Sequence, residues 1–432
     1  MFDLSPYEYA EVRIENGETF RAYVKEEINS SAGCFYGISV RVLRNGAWGF
    51  VATNNAEANV NELLKKADRI AGLTKGNVKI IRSKKESSKS SSKTEWFDVD
   101  EVILRLMDAK KETKGEMTIS SNLTFSASLI NREFYNSEGK ELVERATRFY
   151  FNSTVTVRKE GITQVGTESL GSRFGITRLK IEEAARGAKE RAELLLGAKS
   201  APKGRFAAVL DPEITGTFIH EVVGHATEAD AVISRESALS DKYEKKIGNE
   251  LVNIVDDPSL PYFGGYEYDD EGVRGRRIEL VKEGVLSGFL NSRETAAELG
   301  HTPNGHARAE GYALQPIVRM SNTLLLPGGH SKSDVFDLRK GIYVKGSAGG
   351  SVDIFSGGFM FKAKEGYEIK NGEVREPLRD VVITGNIIDV LNNITAVGQD
   401  FSTHAGFCGK SGQLVPVEDG GPHIAVSSIT IG

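Results

Sequence analysis

Cysteine is scarce in this chain of 432 residues: Cys34 and Cys408 are the two cysteines, and they lie near opposite ends. Two thiols so far apart do not make a disulfide framework, which favours a reducing compartment. No run of about 18 apolar residues occurs, so we expect no membrane-spanning helix. The acidic N-terminal segment lacks the apolar core of a signal peptide. Together these absences predict a cytoplasmic protein without a membrane partner.

A strong excess of one charge sign is also absent, because 55 basic side chains face 60 acidic ones and the net charge is −5. This balance argues against nucleic acid or an anionic membrane as the main partner. Proline is rare, with 11 residues, whereas glycine is abundant, with 46. Abundant glycine is typical of a chain with many turns and strands. Neither an internal repeat nor a glycine-rich phosphate loop is present.

The length of the chain exceeds the size at which one hydrophobic core stops growing, so we expect two domains. The segment Pro202-Lys203-Gly204 is the predicted boundary. Residues 1–200 are then an N-terminal α+β domain with an antiparallel sheet and helices. Residues 201–432 are a strand-rich, barrel-like domain that also carries the helix of the candidate site. The predicted fold class is therefore α+β, with largely antiparallel sheets.

Several local patterns predict individual elements. Asn-Gly pairs at Asn16-Gly17 and Asn45-Gly46 lie between alternating segments and predict two hairpins. Further turns are predicted at residues 131–132 and 137–139, and the low-complexity segment from Lys84 to Lys93 predicts a mobile loop. Helices are predicted near residues 60–70, 99–114, 179–199, 213–225, 292–299, 333–339 and 386–393.

The segment from His220 to His225, HEVVGH, places two imidazoles around the carboxylate of Glu221. Imidazole is a common zinc ligand, and a carboxylate beside a metal site can serve as general base. The string is similar to the zincin pair His-Glu-x-x-His, with one additional residue. On a regular α-helix, residues five apart are rotated by roughly 140° about the axis, so both rings cannot reach one ion. We therefore predict a π-type turn or a break between the histidines, which Gly224 accommodates.

A catalytic zinc site needs a third protein ligand and leaves one position open. The candidates are Cys408, His404, His423, Glu228 and the remaining histidines. Cys408 lies in a glycine-rich segment that we expect to be a loop, where a backbone can approach another element closely. A small buried cysteine without chemistry is the alternative, as are two histidines that are ordinary polar groups of a half-buried helix.

Two longer strings resemble the TldD/PmbA family of metallopeptidases, also called modulators of DNA gyrase. They are HEVVGHATEAD, from His220 to Asp230, and CGKSGQLVPVEDGGP, from Cys408 to Pro422. Three further stretches match in the expected order, so that the resemblance spans nearly the whole chain: VRVLRNGAWGF, IVRMSNTLLLPGG and GGSVDIFSGGFMF.

The resemblance implies a specific site. His220, His225 and Cys408 would bind one zinc ion per chain, and Glu221 would be the catalytic carboxylate. Because all four residues are present, the chain resembles the TldD kind of subunit and not the TldE/PmbA kind, which has lost the metal motif. The family also implies a dimer around a cleft that admits unfolded peptide. The second subunit would be another copy or a TldE/PmbA-like chain.

We therefore expect a zinc-dependent peptidase that hydrolyses unfolded or extended peptides, with Glu221 as general base and then general acid. The substrate would pair with a strand edge. His404 would orient Cys408 or the substrate, unless it is a surface histidine. One alternative is a non-catalytic adaptor, whose structural metal site would be closed by four protein ligands. Another is a hydrolase of non-peptide amides or esters.

Overall fold

The computed structural model describes residues 2–91 and 96–432, and it has the predicted mixture of helices and largely antiparallel sheets. The N-terminal strands are β1 (Tyr9–Val24), β2 (Ile28–Arg44), β3 (Ala47–Thr53), β4 (Glu86–Ser91), β5 (Thr118–Asn136), β6 (Lys140–Lys159) and β7 (Ile162–Ser172). They form one sheet in the order β3-β2-β1-β5-β6-β4, and β7 also pairs with β6. The helices here are α1 (Val60–Ala71), α2 (Val99–Glu112) and α3 (Ile181–Leu196), with a 3₁₀ turn over Ile176–Arg178.

The helices of this half form where the apolar spacing predicts them. The Asn59 side chain accepts hydrogen bonds at the start of α1, and the Asp98 side chain does so at the start of α2. Helices α2 and α3 bury their apolar faces against the sheet, in a core that includes Phe125, Phe149 and Phe151. The other face of this sheet is polar and contacts the second half of the chain, for example where Arg13 pairs with Asp270 and Arg41 with Glu271.

The predicted hairpin at Asn16-Gly17 is wrong, because β1 runs straight through both residues. A β carbon on Gly17 would lie 2.1 Å from the carbonyl oxygen of Leu129, so glycine is needed here for close approach of β5. The Asn16 side chain accepts a hydrogen bond from Asn131 across the strands. The predicted turn at residues 131–132 is wrong for the same reason, since β5 also continues through it. The turns at 45–46 and 137–139 are confirmed.

The predicted loop from Lys84 to Lys93 is also wrong over most of its length. Residues 86–91 form β4, which pairs in parallel with the start of β6. Glu86 accepts hydrogen bonds from the Lys140 ammonium and the Tyr268 hydroxyl, both at 2.9 Å. Backbone pairing and these side-chain bonds allow a polar segment to form a strand without an apolar face. The last two residues of the predicted loop lie outside the described residues.

The C-terminal half consists of sixteen strands in the described chain. They are β8 (Lys199–Ser200), β9 (Gly204–Leu210), β10 (Ile254–Asp256), β11 (Ile278–Lys282), β12 (Val285–Leu286), β13 (Ala307–Arg308), β14 (Ile317–Val318), β15 (Asn322–Leu325), β16 (Lys340–Asp353), β17 (Gly358–Lys370), β18 (Glu373–Arg379), β19 (Val382–Asn386), β20 (Ile394–Val397), β21 (Ser402–Lys410), β22 (Gln413–Gly421) and β23 (Ile424–Ile431). The helices are α4 (Pro212–Ile219), α5 (Ala229–Ile233), α6 (Arg293–Leu299), α7 (Lys332–Phe336) and α8 (Ile387–Asn392). The three short predicted helices therefore correspond to α6, α7 and α8.

Two sheets organise this half. Strands β16, β9, β23, β19 and β17 pair in that order, and β16 also pairs with β17, which closes a barrel. A six-stranded sheet runs β12-β11-β10-β15-β22-β21 and ends on β21. Helix α4 packs between the two, against β16 and β22. The barrel-like character is confirmed, whereas the division into domains 1–200 and 201–432 stays a prediction. No helix in the described ranges is both long and apolar enough to cross a membrane.

Gly216 determines how closely α4 approaches β22. A β carbon there would lie 2.6 Å from the Gly420 nitrogen and 2.7 Å from the Asp419 Oδ1 atom. Alanine usually stabilises a helix interior by up to about 1 kcal/mol relative to glycine, but overpacking against backbone costs about 1–3 kcal/mol. We expect Gly216→Ala to lower the free energy of unfolding, as measured by urea denaturation. Gly187→Ala in α3 is the control and should raise it by about 0.4–1 kcal/mol, because only the flexible Glu168 side chain lies nearby. A stabilised Gly216→Ala variant would contradict this packing.

Candidate metal centre

Helix α4 leads directly into the histidine motif. Asp211 caps the helix by accepting a hydrogen bond from the Ile214 amide at 2.9 Å, and Pro212 occupies the first helical position. After α4 the backbone widens into one π-helical turn over His220–Gly224 and then tightens into a 3₁₀ turn over His225–Thr227. The predicted distortion between the histidines is thus confirmed.

The π turn brings the two imidazoles to one side of the chain. The ring centroids of His220 and His225 lie 5.4 Å apart, with the ring planes at 89°. Gly224 allows this turn to pack closely, since a β carbon there would lie 1.9 Å from the Met320 sulfur. The additional residue relative to the zincin spacing is therefore absorbed by the backbone.

Cys408 reaches the histidines from a strand, so the predicted loop at this position is wrong. It lies in β21 opposite Val415 of β22, and a tight turn at Ser411-Gly412 joins the strands with positive φ at both residues. Buried Arg319 donates a hydrogen bond to the Cys408 carbonyl oxygen at 2.5 Å and holds the hairpin in place. A strand positions a ligand more rigidly than the expected loop would.

The structure brings together three of the predicted ligands. The ligand atoms of His220, His225 and Cys408 all lie within 4.8 Å of one another, and the Cys408 sulfur lies 3.4 Å from His225 Nε2. Nitrogen and sulfur ligands at zinc distances of 2.0–2.3 Å lie about 3.3–3.8 Å apart around a tetrahedral ion. The donor set and its spacing therefore fit zinc after a small contraction.

The three side chains are buried, and their charges depend on one another. Burial raises the pKa of the Cys408 thiol, but the charge of His220 and hydrogen bonds from both imidazoles outweigh burial and lower that pKa to about 4. Burial lowers the pKa of His220, but the Cys408 thiolate outweighs it and raises that pKa to about 9. The cluster thus stabilises the thiolate, the form that binds metal. A divalent cation would take the place of the imidazole protons.

Glu228 supports the cluster from behind. Its carboxylate lies 3.0 Å from His225 Nδ1 and is buried, while the other ring nitrogen faces Cys408. Lys410 pairs with Glu228 at 3.1 Å and with Asp230 at 2.7 Å. Burial raises the pKa of Glu228, but His225 and Lys410 outweigh burial and lower it. Glu228 is therefore placed to orient the ring, and the proposal that it is itself a ligand has no support in this geometry.

Because Glu228 orients His225, its loss should weaken metal binding without removing a ligand. We expect Glu228→Gln to lower zinc affinity by about 10- to 100-fold, the usual effect of a carboxylate that supports a histidine ligand. Competition with a fluorescent zinc chelator measures the affinity. Glu236→Gln, at an exposed residue of the same cleft, is the control and should leave it unchanged. Equal zinc affinities of the two variants would contradict the orienting role of Glu228.

Glu221 lies beside the three potential ligands and faces open space. Its Oε2 atom is 4.0 Å from His225 Nε2, and its side chain is 31% exposed. A cleft of about 640 Å³ adjoins it, lined in part by His225, Lys410 and Ser351. A carboxylate in this position can reach both a buried cation and a molecule that enters from the cleft.

The other histidine candidates lie outside the cluster. His423 contacts Asp400 and the Tyr343 hydroxyl, at 2.5 and 3.0 Å. His404 faces Asp419 across the hairpin, and its Nδ1 atom is buried without a hydrogen-bond partner. An orienting role for His404 stays a prediction. Lys410 is a further residue of the site that was not predicted from the sequence. Its position two residues after Cys408 on a strand places both side chains on one face.

Known proteins resemble this chain over nearly its whole length. Models of PmbA/TldA metallopeptidases match residues 10–71 with domain 1, 88–196 with the central domain and 203–432 with the C-terminal domain. A metalloprotease of Methanothermobacter thermautotrophicus is 40% identical over 98% of this chain and 95% of its own. The zinc metalloprotease TldD homolog of Saccharolobus solfataricus is 31% identical over 98% and 96%, respectively.

A solved structure shows the same fold. TldE from Thermococcus kodakarensis is 18% identical and has a TM-score of 0.81, with 99% of this chain and 97% of that chain covered. Together with the sequence matches, this confirms the resemblance inferred from the two long motifs. The chain belongs to the TldD/PmbA family of metallopeptidases.

Proposed function

We propose that this protein is a zinc-dependent peptidase in which His220, His225 and Cys408 bind one zinc ion and Glu221 is the general base. The observation that carries the proposal is the meeting of three separated ligand atoms within 4.8 Å, beside a carboxylate that faces a cleft. The relative from Saccharolobus solfataricus is named a zinc metalloprotease, which supports the choice of metal.

Each side chain has a distinct task in hydrolysis. When held by the two imidazoles and the thiolate, zinc supplies Lewis acidity that acidifies water and polarises the scissile carbonyl. Glu221 accepts the proton from the attacking water and later donates it to the leaving amine. Glu228 keeps the His225 ring oriented, and Lys410 holds Glu228 ionised. The activation barrier to hydrolysis would thus be lowered by charges held in fixed positions and by the proton that Glu221 transfers from the water to the leaving amine.

The position of β21 supports an extended substrate. Within the described chain this strand pairs on one side only, with β22, and it is the last strand of its sheet. A peptide that adds to such an edge is held through its backbone, which gives broad sequence tolerance. The cysteine ligand lies on this strand, so a peptide beside it would pass close to the cluster.

A direct assay tests the proposal. We expect the purified protein to contain zinc by elemental analysis and to cleave unfolded casein, alone or mixed with a TldE/PmbA-like subunit. Chelation should abolish cleavage, and added zinc should restore it. Light scattering of both preparations would distinguish the two alternatives for the expected dimer, a homodimer and a heterodimer. A zinc-loaded protein that cleaves no peptide in either preparation would favour the adaptor, and cleavage that survives complete metal removal would exclude the proposed mechanism.

A further inference from the structure

A second cavity, of about 400 Å³, lies on the opposite face of β21 from the metal cluster. Successive side chains of a strand point to opposite faces, so Phe407 lines this cavity while Cys408 faces the histidines. Strands β5 and β6 of the N-terminal sheet form its other wall. The cavity therefore lies between the two halves of the chain and is separate from the cleft beside Glu221.

One part of the cavity is aromatic. The rings of Tyr150, Phe263 and Phe407 contact one another with centroid distances of 5.1 to 5.9 Å. Phe407 is 49% exposed, and the neighbouring Leu414 is 54% exposed. Covering large exposed apolar side chains with a ligand removes them from water, which favours binding. This part of the cavity is suited to an apolar group.

The other part carries the guanidinium groups of Arg148 and Arg308, whose hydrogen-bond acceptors are carbonyl oxygens. Arg148 donates to the carbonyl oxygens of Thr147 and Gly265, and its Nε atom is buried without a partner. Arg308 donates to the carbonyl oxygens of Met320 and Pro416. No carboxylate of the described residues lies within 4.0 Å of either guanidinium. Buried charge without a partner is costly, so an anion at this position would stabilise the site.

Three acidic residues line the cavity, Glu144, Asp270 and Glu310, and each accepts a hydrogen bond from a backbone amide. Asp270 lies 3.4 Å from Arg13 and accepts a hydrogen bond from the Ala309 amide. Glu310 accepts one from the Leu414 amide at 2.9 Å. Burial and the nearby arginines lower the pKa of Arg148 well below its usual value, and they outweigh Glu144, which raises it. The local field is therefore positive at Arg148 in spite of these carboxylates.

We propose that this cavity binds the terminal carboxylate of a peptide whose last side chain is apolar. A carboxylate accepts paired hydrogen bonds from guanidinium groups, and the aromatic rings would cover the last side chain. The volume accommodates a few residues and not a folded domain. The choice of a peptide as ligand rests on the proposed peptidase function. The protein would then have a second binding site for peptide, on the face of β21 opposite the metal cluster.

The binding test compares acetyl-Ala-Ala-Phe with the same peptide as its C-terminal amide, by calorimetry on the zinc-loaded protein. Mass spectrometry afterwards checks whether either peptide was hydrolysed during the titration, and only titrations with intact peptide are compared. We expect the acid to bind at least about tenfold more tightly than the amide, the usual effect of a hydrogen bond to a charged group. Arg148→Gln should remove this preference. Arg158→Gln, at an exposed residue of the same strand, is the matched control and should retain it.

The outcomes separate this site from the peptidase proposal. Equal binding of acid and amide by the wild-type protein would overturn the site, as would an unchanged preference in a folded Arg148→Gln variant. If that variant does not fold, Phe407→Ala replaces it, with zinc content as its control, and should weaken binding of the acid. Cleavage of casein without a preference for the acid retains the peptidase and removes the site. A preference for the acid without cleavage of casein retains the site and contradicts the peptidase proposal.

Discussion

Replacement of Glu221 by glutamine should leave a folded, zinc-loaded protein that has lost about 100- to 10,000-fold in kcat/KM, the usual contribution of one positioned general base. Glutamine has nearly the same shape as glutamate but cannot accept a proton from water at neutral pH. Because Glu221 lies at the edge of the cluster and is partly exposed, its replacement leaves no buried charge unpaired. Casein cleavage and elemental analysis on the same preparation measure the two properties.

The control for this variant is Glu236→Gln, which removes the same charge from an exposed position in the same cleft. We expect its activity to stay close to that of the wild type. Wild-type activity in Glu221→Gln would exclude the assignment of the general base. Loss of zinc from this variant would instead make Glu221 a ligand.

Cys408→Ala is expected to lose both zinc and activity, because the alanine side chain provides no ligand. A residue that only supports a ligand contributes about 10- to 100-fold to metal affinity, so loss of the ligand itself should exceed this range. Cys34→Ala is the matched control, since it removes an exposed thiol that does not belong to the cluster. Elemental analysis after dialysis against a weak chelator compares the two variants, and casein cleavage gives the activity.

His225→Ala should behave as Cys408→Ala does, because both remove one of three proposed ligands. A Cys408→Ala protein that still holds one zinc ion per chain would point to another third ligand. The double variant Cys408→Ala, Glu228→Gln would then be the first to measure, since Glu228 is the nearest carboxylate on the far side of His225. Loss of zinc only in the double variant would identify Glu228 as the replacement.

Two identical dipeptides show where sequence patterns succeed and fail in this fold. Asn45-Gly46 forms a two-residue hairpin turn with positive φ at both residues, as predicted. Asn16-Gly17 lies inside β1, where the glycine admits a neighbouring backbone and the asparagine bonds to Asn131. The local pattern is the same in both cases. The difference lies in β5, more than a hundred residues later in the chain, which no local window contains.

The spacing of His220 and His225 required, by itself, a departure from regular helix geometry if both rings were to meet one ion, because 3.6 residues per turn is a property of the backbone. Composition likewise determined the absence of a disulfide framework. Tertiary structure alone decided that Cys408 lies on an edge strand, that Arg319 holds that strand and that the Arg148 Nε atom is buried without a hydrogen-bond partner. These features depend on contacts between segments far apart in the chain, and such contacts leave no periodic signal in the sequence.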